Sequence, residues 1–111
     1  MAGIEKIGDD FLPFNDRTVS KVPGVAGTFI LADKARQIVY IGFGTNLNKM
    51  LMDVKKTGNM CLGRASFYQI AMNPSPLEGA ARIFSDYKEA HSGMIPRCNK
   101  YDLSVNIGRL P

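Results

Sequence analysis

Hydrophobic positions change their period several times along the chain, and each change marks an element. Residues 1–23 keep no period, because Gly8, Pro13, Asn15 and Pro23 interrupt every apolar run, which predicts an irregular lead-in. Within it Phe11, Leu12 and Phe14 are apolar enough to dock on the domain. β-Branched and aromatic residues dominate Gly27-Thr28-Phe29-Ile30-Leu31-Ala32, a strand signal. Asp33 to Gln37 is short and polar, as a hairpin loop should be, and Ile38-Val39-Tyr40-Ile41-Gly42-Phe43 reads as a second strand. A connection this short cannot house a crossover, so the two strands are predicted to pair antiparallel.

The period then lengthens. Leu47, Met50, Leu51 and Val54 fall at i, i+3, i+4 and i+7, one face of a helix. Thr45 or Asn46 supplies the cap oxygen, Lys49 and Asp53 pair across one turn, and Gly58 marks the stop. Lys55 and Lys56 lie in the last turn, where cations suit the helix dipole. A third strand is predicted over Ala65 to Met72, with Tyr68 as a half-buried sheet aromatic. Ser75-Pro76-Leu77-Glu78 reads as a capping box with proline at the first helical position. That helix has Leu77, Ala80, Ala81 and Phe84 on its apolar face, carries the charge ladder Glu78, Arg82 and Asp86, and runs to about Ala90. The order β-β-α-β-α predicts an α/β (α+β) fold: a small mixed three-stranded sheet with flanking helices over residues 24–99. Residues 1–23 precede it, and residues 100–111 form a tail or an edge strand through the alternation Leu103 to Ile107.

Composition narrows the class. The 111 residues, 45% apolar and 22% charged, suit one domain with a real core, and a net charge of +4 is too small to suggest disorder. No run of about 18 apolar residues exists, so no membrane partner is expected, and the first residues lack a signal-peptide layout. Cys61 and Cys98 make neither a disulfide framework nor a metal knuckle, and they read as two thiols in a reducing cytoplasm. His91, the sole histidine, leaves little for zinc and reads as a helix-end cation or a surface group. Asp9 and Asp10 read as solvated carboxylates in an acidic lead-in. Residues 21–66 are basic: Lys21, Lys34, Arg36, Lys49, Lys55, Lys56 and Arg64 face only Asp33 and Asp53. A basic stretch of this kind is compatible with a polyanion.

The candidate chemistry lies where these elements meet. Gly27-Thr28-Phe29 and Tyr40-Ile41-Gly42 sit on the paired strands, Gly44-Thr45-Asn46-Leu47 opens the helix, and Pro96-Arg97-Cys98-Asn99 follows the last one. This layout, over residues 24–99, resembles the GIY-YIG nuclease superfamily. The resemblance implies phosphodiester hydrolysis with one divalent metal, Mg²⁺ or Mn²⁺, bound by a glutamate at a helix start. It implies a tyrosine on the first strand or its neighbour that helps activate water, and a first-helix arginine that neutralises phosphate charge. Positioning and charge stabilisation do most of the work in such chemistry.

Carried over residue by residue, the resemblance makes Tyr40 the second-strand tyrosine and Glu78 the metal-binding glutamate. Eighteen residues separate Glu78 from Pro96, more than the family's usual gap. The first-strand tyrosine is Phe29 here, which keeps the ring and lacks the hydroxyl. The arginine position, eight residues beyond Gly42, is Met50, and the position one turn later is Val54. Lys49, Lys55, Lys56, Arg64 and Arg82 are the candidate phosphate contacts. Asn99 is a further candidate and, as in the family, would tie a loop to the sheet through its amide. The expected function is therefore a nuclease-like domain that associates with nucleic acid, DNA rather than RNA, with weakened or lost hydrolysis and a protein partner supplying targeting. Two alternatives stand beside it. One is a working endonuclease in which Tyr40 and Glu78 act with a displaced Lys49, Arg64 or Arg82. The other is a protein-interaction module that docks through Phe11-Leu12-Pro13-Phe14.

Overall fold

A computed structural model describes residues 11–56 and 59–100. Its elements are β1 (Leu12–Pro13), α1 (Asp16–Val19), β2 (Gly27–Ala32), β3 (Ile38–Gly44), α2 (Leu47–Lys56), β4 (Phe67–Met72) and α3 (Pro76–Ala90), with a 3-10 turn at Leu62–Arg64. The hairpin forms as its pattern predicts, with Phe29 opposite Gly42 and Leu31 opposite Tyr40. β4 pairs with the other side of β2, placing Ile70 beside Phe29.

The three-stranded mixed sheet needs correction. Among the described residues the sheet has four strands in the order β1-β4-β2-β3, and every pairing is antiparallel. The fourth strand comes from the lead-in, whose Leu12 and Pro13 pair with Tyr68 and Phe67. Proline is tolerated there because β1 is an edge. Residues 11–23 of the lead-in are thus built into the domain. Asn15 Oδ1 accepts the Thr18 N–H at 3.0 Å to start α1, and Asn48 Nδ2 of α2 donates to the carbonyls of Val19 and Val22, each at 3.0 Å.

The two sheet faces carry separate cores. On one, Leu47 and Leu51 of α2 pack with Phe29, Leu31 and Tyr68. On the other, Ala80, Ile83 and Phe84 of α3 pack on Ile30 and Ile41. A register shift at Leu31 and Ala32 breaks strict alternation in β3. Val39 and Tyr40 both join the α2 face, while Ile38 and Ile41 join the α3 face. A bulge re-aims side chains in this way by opposing two residues to one. Tyr68 is fully buried, not half-buried, because α1, α2 and Phe14 cover it, with the Phe14 ring edge-on at 5.6 Å.

One local expectation is narrowed and two are corrected. Asn46, rather than Thr45, caps α2, its Oδ1 accepting the Lys49 N–H at 3.0 Å. The capping box at Ser75 does not close, since the serine side chain makes no cap hydrogen bond. Buried Asn73 organises that turn instead, accepting the Ser75 N–H at 2.8 Å. The two free thiols are in fact one disulfide, Cys61–Cys98, spanning 37 residues of sequence. The chain after α2 meets the chain after α3 beside β3, a proximity that spacing alone does not reveal. Gly58, the Asp9-Asp10 pair and the alternation at Leu103 to Ile107 lie outside the described residues.

Candidate functional site

The site is built on the outer edge of β3. α3 ends at His91, whose Nδ1 lies 2.8 Å from the Tyr87 carbonyl oxygen and whose ring stacks on Tyr87 at 3.8 Å. Gly93, at φ +85, turns the chain back in a conformation that glycine adopts without steric penalty. Residues 96–100 then run along β3 as a strap. Arg97 pairs with Asp33 of the hairpin loop at 2.9 Å. The Cys98 N–H donates to the Val39 carbonyl at 2.9 Å. Asn99 takes the Ile41 N–H on Oδ1 and donates from Nδ2 to the Ile41 carbonyl, both at 2.9 Å.

The Asn99 amide therefore stands in for a neighbouring strand's peptide and satisfies an edge that would otherwise be open. Asn99→Ala should lower unfolding stability by about 2 kcal/mol, since it strands two partly buried backbone groups. Urea denaturation monitored by far-ultraviolet circular dichroism measures this, and a change below about 0.5 kcal/mol would contradict the strap geometry.

Between the strap, β3 and the chain near the 3-10 turn lies a cleft of about 270 Å³, lined by Tyr40, Gly42, Asn59, Leu62, Cys98 and Lys100 among others. Tyr40 makes no side-chain hydrogen bond among the described residues, and desolvation raises its pKa above the usual 10.0. At neutral pH it is a hydrogen-bond donor, not a base. Because the folded value is raised, the neutral phenol's stabilising contribution is complete below about pH 10 and is lost as pH rises through the folded value. Ultraviolet titration of wild type against Tyr40→Phe should show the missing phenol ionising late, and an ordinary midpoint would refute the desolvation argument.

Phe29 lies next to Tyr40, its ring centroid 5.9 Å from the tyrosine's and the residue only 1% exposed. Gly42 permits this contact. A Cβ there would lie 2.7 Å from Phe29 Cε1 and 2.9 Å from Tyr40 Cε2. Met50 packs on the α2-face core, and its sulfur takes the space a Cβ on Gly44 would need. Val54 packs on the same core. None of these three positions brings a polar group to the cleft.

Compared by sequence, the chain matches no family model and no curated protein. By structure, it matches the GIY-YIG N-terminal endonuclease domain of UvrC from Thermotoga maritima, a tyrosine-to-phenylalanine point mutant bound to the catalytic divalent cation. The match has a TM-score of 0.56 at 16% identity and covers 77% of this chain and 93% of that one. The chain has a GIY-YIG-like fold.

Against the GIY-YIG pattern, the structure unites Tyr40 with Asn99 and separates them from Glu78. Ile41, next to Tyr40, packs against α3 on the opposite face, so α3 and the Tyr40 ring lie on different sides of the sheet. Glu78, exposed in the first turn of α3, lines a second cleft of about 330 Å³ with Phe43, Gly44, Thr45 and Ser75. Among the described residues no three His, Cys, Asp or Glu side chains converge to hold a metal. A cation held by Glu78 would therefore stand apart from the Tyr40 phenol, and this donor set does not fit a metal site shared by the two residues.

The predicted cations are dispersed. Lys49 pairs with Asp53 at 3.3 Å on the outer face of α2. Lys55 reaches Asp16 at 3.8 Å and lies over the Phe14 ring at 5.1 Å, which fastens α1 to α2. Lys56, Arg64 and Arg82 are exposed on α2, the 3-10 turn and α3. None of the five lines the Tyr40 cleft. Among the described residues the cation that does is Lys100, which the sequence pattern did not single out although it follows the Pro-Arg-x-Asn segment directly.

Proposed function

We propose that this chain is a GIY-YIG nuclease-like domain that associates with nucleic acid and has lost phosphodiester hydrolysis. The observation that carries this reading is the Phe29–Tyr40–Gly42 arrangement. The ring beside Tyr40 has no hydroxyl, and the arginine position is a methionine packed against Gly44. What persists is the framework: the hairpin, the strap with Asn99, and a cleft that presents a protonated phenol beside Lys100. Such a cleft can donate hydrogen bonds to a phosphate without activating water.

The reading of a live, rearranged endonuclease gives Glu78 the metal, Mg²⁺ or Mn²⁺, and a displaced base the charge-neutralising role. The tyrosine-to-phenylalanine relative that still binds its cation supports a metal role in this fold. The placement of Glu78 across the sheet from Tyr40 weighs against a shared centre here. The docking-module reading keeps only part of its surface, the exposed Leu12 and Pro13. Phe11 packs on the α3-face core, Phe14 on the α2-face core, and β1 joins them in the sheet.

DNA is favoured over RNA by the resemblance, and a protein partner would supply targeting. No described helix is long and apolar enough to cross a membrane. A cytoplasmic setting rests on reading Cys61 and Cys98 as reduced thiols, and the Cys61–Cys98 bond removes that support. Binding to a fluorescein-labelled DNA strand, followed by anisotropy across a salt series, tests the main reading. Affinity should fall steeply with salt, with a log–log slope of roughly −0.7 per phosphate contacted. Salt-independent binding, or none, would defeat it.

A further inference from the structure

We propose that the Cys61–Cys98 bond is a reversible redox clasp on the Tyr40 cleft: closed, it holds the strap that presents Lys100, and open, it lets the strap leave β3. The nature of the ligand rests on the nucleic-acid reading above, whereas the clasp does not.

The bond joins the two walls of the cleft. Cys61 immediately precedes the 3-10 turn that contributes Leu62, and Cys98 lies in the strap between Arg97 and Asn99. Non-covalent contacts also fasten residues 97–99, among them the Arg97–Asp33 pair, the Cys98 N–H on Val39, and the Asn99 amide on Ile41. All of these run to the hairpin, and none to the opposite wall. Both cysteines are half-buried, so a small thiol can reach them, and the bond joins no strand of the central sheet to another. Lys100, two residues from Cys98, is the cation lining this cleft.

The chemistry is thiol–disulfide exchange. To close the clasp, Cys61 and Cys98 give up two protons and two electrons to a small-molecule disulfide. One sulfur–sulfur bond forms in the protein, the small molecule's breaks, and it leaves as two thiols. A dithiol runs the reaction backwards and is itself oxidised to a disulfide. In a reducing compartment the clasp would stand open, and oxidation would close it.

The test compares protein oxidised with glutathione disulfide, the same protein reduced with dithiothreitol, and Cys61→Ser. Alkylation with mass detection should add two labels only after reduction. Labels on the oxidised protein would overturn the proposal. Amide hydrogen exchange then reads the strap directly, because the Ile41 N–H bonds to Asn99. The Ile41 and Cys98 amides should exchange about tenfold faster in the reduced protein and in Cys61→Ser, with the β2 amides of Phe29 and Ile30 unchanged. Unchanged Ile41 exchange, or equal loss of protection in β2, would overturn the clasp, the second because it shows a global staple. Anisotropy with a DNA strand of about 20 bases should show tighter binding to the oxidised form, an advantage that Lys100→Ala removes. Equal affinity in both redox states would also overturn the proposal. Absence of binding in both states, with the exchange result as expected, would defeat the nucleic-acid reading and support the clasp.

Discussion

Supercoiled plasmid incubated with the wild-type protein and either Mg²⁺ or Mn²⁺ is expected to stay uncut. Removing one preorganised group that stabilises developing charge typically lowers turnover about 10²–10³-fold. Here the first-strand hydroxyl and the helix guanidinium are both missing, as Phe29 and Met50. Effects of groups that act together do not add, but the combined loss takes hydrolysis below the reach of a nicking assay. The structure sharpens this expectation for the reversal experiment. Phe29 is 1% exposed, so Phe29→Tyr would bury a hydroxyl, and Met50→Arg would put a charge into the packing against Gly44. The double variant is therefore not expected to regain activity, because Phe29 is enclosed in the core and the half-buried Met50 is packed on that core and against Gly44. Cutting by wild type that disappears in Glu78→Ala, with the fold intact by circular dichroism, would establish the rearranged endonuclease instead.

Gly42→Ala should destabilise the domain by about 3 kcal/mol, the upper part of the usual range for overpacking a filled core. The new methyl would press on Phe29 and on Tyr40 at once, and the enclosed Phe29 ring has no room to give. Phe29 is enclosed by Leu31, Leu47 and Leu51, and Tyr40 stands against the strap. Urea unfolding of Gly42→Ala, Phe29→Leu and the double variant forms a cycle. The smaller Phe29→Leu side chain should relieve the alanine, giving a favourable coupling of about 1 kcal/mol or more. A neutral Gly42→Ala, or purely additive effects, would show that the glycine is not there to seat the rings. With the favourable coupling, the third member of the Tyr-Ile-Gly triplet would have a packing role that is independent of any chemistry.

How much of this was legible in advance differed by element. The hairpin was, because β-branched and aromatic runs flank a loop too short for anything but antiparallel pairing, and its observed register follows from that. α2 was also legible from its apolar stripe, as was α3 from proline at its start and an apolar face over Leu77 to Phe84, although the serine cap proposed for it does not form. The substitutions at Phe29, Met50 and Val54 could be read directly, since each is a matter of which side chain occupies a position in a local pattern.

What tertiary structure alone decided are the relations between distant segments. β1 was hidden because two residues of an edge strand carry no period, and only its pairing with β4 defines it. The bulge that turns both Val39 and Tyr40 toward α2 breaks the alternation on which a face assignment rests. The resemblance put Glu78 and Tyr40 in one site, but Tyr40 joins the α2-face core while α3, which carries Glu78, packs on the other face, and a local pattern does not say which face two distant elements share. The Cys61–Cys98 bond and the placement of Lys100 depend on where the chain lands after α2 and α3. Local pattern determines elements through backbone preference and amphipathic burial. Sites are made by long-range packing, which no local pattern encodes.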